Sequence, residues 1–128
     1  MPYEQSKLIR CTKGSIVDIS VDIRKGSPTF GESVLIKLEA NDGKLVLIPK
    51  GFAHGVLVLE DNSEYNYKVD NLFNKEYDRG LAYDDKQLNI DYSSYVDTKL
   101  QLSQRDLNNP NLDNIDNNFE YWKDSLWA

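Results

Sequence analysis

The sequence predicts an all-β domain, an antiparallel barrel or sandwich of short strands. Three observations predict it. Residues 15–24 alternate strictly, with Val17, Ile19, Val21 and Ile23 set against Asp18, Ser20, Asp22 and Arg24. Turn-forming clusters recur between apolar runs at short intervals. No stretch in the first hundred residues carries a helical period.

Each element follows from its residues. Residues 5–11 read as a first strand. Residues 15–24 read as a strand with one apolar and one polar face, because successive side chains point to opposite sides. Lys25-Gly26-Ser27-Pro28 ends it, since Gly and Pro break the ladder. Residues 33–39 are the next strand, with Val34, Ile36 and Leu38 on one face. Asn41-Asp42-Gly43 is expected to close a tight hairpin, because Asp-Gly supplies positive φ. Residues 44–48 and 55–60 follow as strands, and Asp61-Asn62-Ser63 turns the chain again. Residues 63–69 are the last strand, with Tyr65, Tyr67 and Val69 facing one way and Glu64, Asn66 and Lys68 the other. Ser103-Gln104-Arg105-Asp106 reads as a capping box that opens a short helix. Asn108 to Asn118 has loop composition. Ile115, Phe119, Trp122 and Leu126 recur at helical spacing and predict a terminal amphipathic helix.

The chain has 128 residues, which fits one domain, 1–128. Its single cysteine, Cys11, excludes an internal disulfide and suits a reducing, cytoplasmic setting. No signal pattern opens the chain, and no apolar run approaches the roughly 20 residues that span a bilayer. The net charge of −6, with no basic stripe, argues against nucleic acid as a partner. One histidine and one cysteine cannot build the usual metal ligand sets. No Walker or Rossmann glycine loop and no Gly-x-Ser-x-Gly elbow is present.

What remains is a polar set spread over neighbouring strands: Lys7, Arg10, His54, Tyr67 and Asp106. His54, the only histidine, lies in Ile48-Pro49-Lys50-Gly51-Phe52-Ala53-His54-Gly55, placed just before a strand at a barrel mouth. Taken singly, His54 reads as a hydrogen-bonded structural residue and Tyr67 as a wall residue. Lys7 reads as a surface lysine, and Asp106 as part of the capping box.

Taken together, these residues resemble the sugar-nucleotide 3,5-epimerase family, the dTDP-4-dehydrorhamnose 3,5-epimerases of the cupin class. The matching stretches run from about Tyr3 to Asp106. They include Lys7-Leu8-Ile9-Arg10-Cys11, Gly26-Ser27-Pro28-Thr29-Phe30-Gly31 and the His54 segment. Tyr65-Asn66-Tyr67-Lys68, Arg79-Gly80-Leu81-Ala82-Tyr83-Asp84-Asp85, Asn89-Ile90-Asp91-Tyr92 and Leu102-Ser103-Gln104-Arg105-Asp106 continue the series. The resemblance implies a cupin-like antiparallel jelly roll with short C-terminal helices. It also implies inversion of carbons 3 and 5 of a dTDP-linked 4-keto-6-deoxy sugar, in dTDP-rhamnose biosynthesis. The chemistry is proton transfer beside a ketone and needs neither cofactor nor metal. By the same resemblance Tyr67 is the general acid, Lys7 stands near the ketone oxygen, and Asp106 orients the basic histidine. His54, Arg10 and Tyr65 are substrate contacts.

The basic histidine of the family belongs to an Arg-Gly-x-His-x-Gln motif expected ahead of Met1, so the chain reads as N-terminally short. That leaves two further readings: a sugar-nucleotide-binding or structural cupin module without turnover, and a 3,4-ketoisomerase. A barrel short of strands has open edges, so a homodimer is expected. Phe119, Trp122 and Trp127 either cover that edge or dock as a helix on their own barrel.

Overall fold

Six strands form two three-stranded antiparallel sheets in the computed structural model, which describes residues 4–116 and 119–121. The strands are β1 (Lys7–Lys13), β2 (Ser15–Asp22), β3 (Ser33–Glu39), β4 (Val46–Ile48), β5 (Phe52–Val58) and β6 (Glu64–Val69). One sheet has the order β4-β1-β6 and the other β3-β2-β5. The all-β expectation therefore holds, and the helical content is small. Among the described residues a single α-turn, α1 (Gln104–Leu107), sits beside three short 3-10 turns. Ser103 caps α1 by accepting from the Asp106 N–H at 3.1 Å, as the Ser-x-x-Asp pattern predicts.

The alternation in β2 holds, but neither of its faces meets water. Nearly every residue from Ser15 to Asp22 is buried, including the carboxylates of Asp18 and Asp22. The reason is position: β2 is the middle strand of its sheet and is covered on both sides. Ile16 and Asp18 share a face with Leu38 and Ile36 of β3 and with Val56 of β5. That face looks into the barrel, where Ile9, Cys11, Ile16, Leu38 and Ile48 form the main core. Each fully buried Ile or Leu there contributes about 1.5–3 kcal/mol. On the other face Val21 packs with Leu88 and Leu112, and Leu81, Ile90 and Ile115 close over them. The long irregular C-terminal chain thus forms a second layer outside the sheet.

Asn41-Asp42-Gly43 turns the chain but does not close a hairpin. Asn41 and Gly43 have φ of 65° and 72°, and the Asp42 carboxylate accepts from the Glu39 and Lys44 N–H groups. The strands it joins, β3 and β4, belong to different sheets. The same is true of β1–β2 at Gly14 and of β5–β6 at Asp61-Asn62-Ser63. These crossings are what make two facing sheets a jelly-roll wall.

The terminal helix predicted from Ile115 and Phe119 does not form at the described residues. Ile115 is extended, with φ −66° and ψ 139°. Glu120 makes a parallel bridge with Lys25, so backbone pairing to a distant loop replaces the helical ladder. Trp122, Leu126 and Trp127 lie outside the described residues. Among the described residues, no helix is long and apolar enough to cross a membrane.

Candidate active site

His54 lies inside β5, not before it, and its cross-strand neighbour on β2 is Ser20. Period-2 geometry then turns its ring toward the barrel, on the face that carries Asp18. The ring Nε2 lies 2.6 Å from Asp18 Oδ2. The Asp18 side chain is 1% exposed and that of His54 is 11% exposed. A short ring N–H to carboxylate bond of this kind fixes the ring and determines which nitrogen is left for other work. Nδ1 has no hydrogen-bond partner among the described residues. Ser20 Oγ adds a long 3.4 Å bond to the other Asp18 oxygen.

Two phenols stand on the facing sheet. Tyr67 pairs with Ile9 and Tyr65 with Cys11, both buried, so the rings project to the barrel side of β6. Their centroids are 6.1 Å apart. Tyr67 is 57% exposed, at the mouth. Burial, then Tyr67, then the Asp18 carboxylate push the Tyr65 hydroxyl above its usual range, so it keeps its proton. Lys7 pairs with Ile48 and Val69 and shares this face, two pairs along from Tyr67.

Lys7, His54 and Tyr67 border one open cleft of about 1220 Å³, whose wall also includes Arg79, Arg105 and Asp106; Tyr65 and Asp18 are not part of its lining. It runs between β5 and β6, each of which has a single neighbour among the described strands. Asp106 enters the wall from α1. Its N–H is used by Ser103, and its carboxylate bonds to none of the described residues. The neighbouring Arg105 is tied to Asp78 at 2.6 Å. Arg10 stands apart. It is opposite Asn66, exposed, on the outer side of β1 and outside the cleft wall.

The structure therefore brings together Lys7, His54, Tyr67 and Asp106 around one opening and puts Tyr65 beside Tyr67. It adds Asp18, which the sequence reading did not single out. The signal was a carboxylate in a strand whose next polar neighbours were also spaced by two, but pairing it with His54 needed the β2–β5 register. Among the described residues, no group of three or more His, Cys, Asp or Glu side chains is placed to hold a metal ion.

Comparison with known proteins gives a consistent result. Residues 1–114 match the family described as dTDP-4-dehydrorhamnose 3,5-epimerase. A curated relative of that name from Shigella flexneri is 46% identical over 107 residues, covering 84% of this chain and 58% of the relative. Another from Sinorhizobium fredii is 38% identical over 122 residues, covering 95% and 62%. Among solved structures, a dTDP-6-deoxy-D-glucose-3,5-epimerase from Legionella pneumophila, in complex with dTDP-4-keto-L-rhamnose, superposes with a TM-score of 0.83 at 37% identity. That match covers 89% of this chain and 62% of the other. A 4-keto-6-deoxy sugar epimerase from the novobiocin cluster of Streptomyces spheroides gives 0.85 at 26% identity, covering 95% and 61%. The chain thus spans about three fifths of the length of these relatives.

Proposed function

The chain belongs to the dTDP-4-dehydrorhamnose 3,5-epimerase family, and on that premise we propose that its cleft binds a dTDP-linked 4-keto-6-deoxy sugar and carries the acid side of a 3,5-epimerisation. The observation that supports this most is the meeting of Tyr67, Lys7 and His54, itself held by Asp18, around one opening. Epimerisation beside a ketone removes a proton from carbon, forms an enolate and returns a proton from the opposite face. Tyr67, exposed at the mouth, is the proton donor. Lys7, two register pairs away on the same face, supplies a positive charge where the enolate oxygen develops, and such fixed charge is the strongest contributor to this kind of step. His54, held by Asp18, presents one ring nitrogen of defined identity to the sugar. Tyr65 stays neutral and donates a hydrogen bond. Asp106 orients the basic histidine, which the family pattern places in the Arg-Gly-x-His-x-Gln motif. Arg10, on the outer side of β1, would reach the nucleotide only beyond the cleft, and its part is the least supported. The proposed setting is the cytoplasm, as a homodimer.

Incubation with a dTDP-4-keto-6-deoxy sugar in deuterium oxide tests the reading. Supplied with the Arg-Gly-x-His-x-Gln segment that carries the base, the chain should admit deuterium at carbons 3 and 5, and Tyr67→Phe should slow its entry by about 10²–10⁴-fold. A second reading rests on the Asp106 carboxylate, which has no partner among the described residues: a cleft that binds the sugar nucleotide without turning it over. Heat from dTDP titration with no deuterium entry at high protein concentration would select that reading. Neither heat nor exchange would remove both.

A further inference from the structure

We propose that Arg24 is a positioning residue, a latch that holds the C-terminal strap 119–121 against the strand carrying His54 and so fixes the cleft between them. This rests on the reading above only for what the cleft binds.

Arg24 follows directly on β2, and its guanidinium is held in one place. Nε and Nη2 donate to the two oxygens of Asp22 at 2.9 and 2.8 Å, a bidentate pair. The same buried carboxylate also accepts from Ser27 Oγ at 2.5 Å, Thr29 Oγ1 at 2.6 Å and the Arg24 N–H at 3.0 Å. Those bonds alone would close the loop after β2. The guanidinium does more. It lies over the Phe52 ring at 4.8 Å and over the Tyr121 ring at 4.9 Å. Phe52 opens β5 and shares a face with His54, two residues on. Tyr121 belongs to the strap. The backbone supports the same junction: the Lys25 N–H donates to Phe119 O and the Tyr121 N–H to Lys25 O, both at 3.0 Å. Phe119, in the strap, lines the cleft with His54. Gly51 lets the Arg24 stem pass. Its φ is +87°, and a Cβ there would lie 2.5 Å from Arg24 Cγ. One planar cation therefore joins two walls of the cleft that come from distant parts of the chain.

The chain's two tryptophans, Trp122 and Trp127, follow the strap directly in sequence, so their fluorescence reads the state of that end. Acrylamide quenching and dTDP titration of wild type, Tyr121→Ala, Tyr121→Phe and Arg24→Lys test the latch. Tyr121→Ala should raise quenching and weaken dTDP binding about tenfold, on the scale of a lost cation–π contact. Arg24→Lys should do the same, because lysine keeps the charge but loses the planar fork. Tyr121→Phe keeps the ring and should restore both readouts. Tyr121 lies on the surface, so its variants test the latch even if the Arg24 variant does not fold. Wild-type quenching in a folded Tyr121→Ala protein overturns the latch. Raised quenching with unchanged dTDP affinity overturns its link to the cleft. Wild-type protein that binds no dTDP would overturn the sugar-nucleotide reading instead, and the quenching series would still decide the latch.

Discussion

At the scale of single residues, the pair Asp18–His54 decides most. Asp18 is buried, and among the described residues its carboxylate has, apart from the ring, only a long bond from Ser20 Oγ. His54→Ala should therefore destabilise the fold by about 1–3 kcal/mol, the cost of leaving a buried acceptor unpaired. Adding Asp18→Asn to His54→Ala should recover part of that loss, because an amide is cheaper to bury than a carboxylate. Urea unfolding of the single and double variants checks both. A His54→Ala protein as stable as wild type would mean that water replaces the ring. Asp106 is the opposite case. Its carboxylate bonds to none of the described residues, so Asp106→Asn should change stability by less than about 0.5 kcal/mol. Any larger change in melting would show that Asp106 already has a structural partner. The candidate site was partly legible in the sequence for this reason. Tyr67, Lys7 and His54 are weak signals singly and become a site only through the family resemblance, and the structure places them on one cleft. Asp18 did not stand out, because its partner lies 36 residues away and only the register of β2 on β5 brings them together.

At the scale of elements, the loop after β2 is built on one carboxylate. Burial alone would raise the Asp22 pKa, but hydrogen bonds from Arg24, Ser27 and Thr29 hold it far below the usual carboxylate range. Unfolded, the same group titrates near about 4. Between about 4 and the lower folded value the unfolded chain binds more protons, so stability falls as pH falls through that window and is fully present above it. Asp42, Asp70 and Asp91 are also lowered, through hydrogen bonds made by exposed loops. Asp22→Asn should thus lower the urea midpoint at pH 7 and flatten, without abolishing, its decline between pH 4 and pH 2. Parallel curves for variant and wild type would contradict the assignment of that slope to Asp22. Strand existence was legible from alternation and turns: six strands were expected, and six are observed with ends shifted by a few residues. Which face of β2 met solvent was not legible. A polar stripe reads as solvated unless the covering layer is known, and here the facing sheet covers it. The predicted terminal helix does not form at its described residues, while Trp122 and Leu126 lie outside them. Its apolar spacing is real, but the described part pairs with Lys25 and leaves no free backbone for a helix.

At the scale of the whole molecule, the arrangement of the sheets carries a prediction about association. β5 and β6 each have one neighbour among the described strands, so each presents a row of backbone donors and acceptors along the cleft. Such edges template pairing unless charge, proline or a covering segment blunts them. The lip beside β6 is apolar rather than blunted: Leu72 and Phe73 are 77% and 69% exposed, next to the exposed Val69 and Tyr67. Burying such a lip against a second copy removes apolar surface from water, worth about 25 cal/mol per Å². The net charge of −6 acts the other way. Two copies repel at low ionic strength, and salt screens that repulsion within about 10 Å at 0.1 M. The two effects together give association that strengthens as salt rises, the reverse of what ion pairing across the contact would produce. Sedimentation velocity over a salt series reads this directly. The wild-type chain should shift from smaller to larger species with added salt. The paired change Leu72→Lys with Phe73→Lys should hold it monomeric throughout without lowering its melting temperature, because both side chains already face water. A wild-type monomer at every salt concentration would show that the edges are blunted by the chain itself, and the homodimer reading would fall with it.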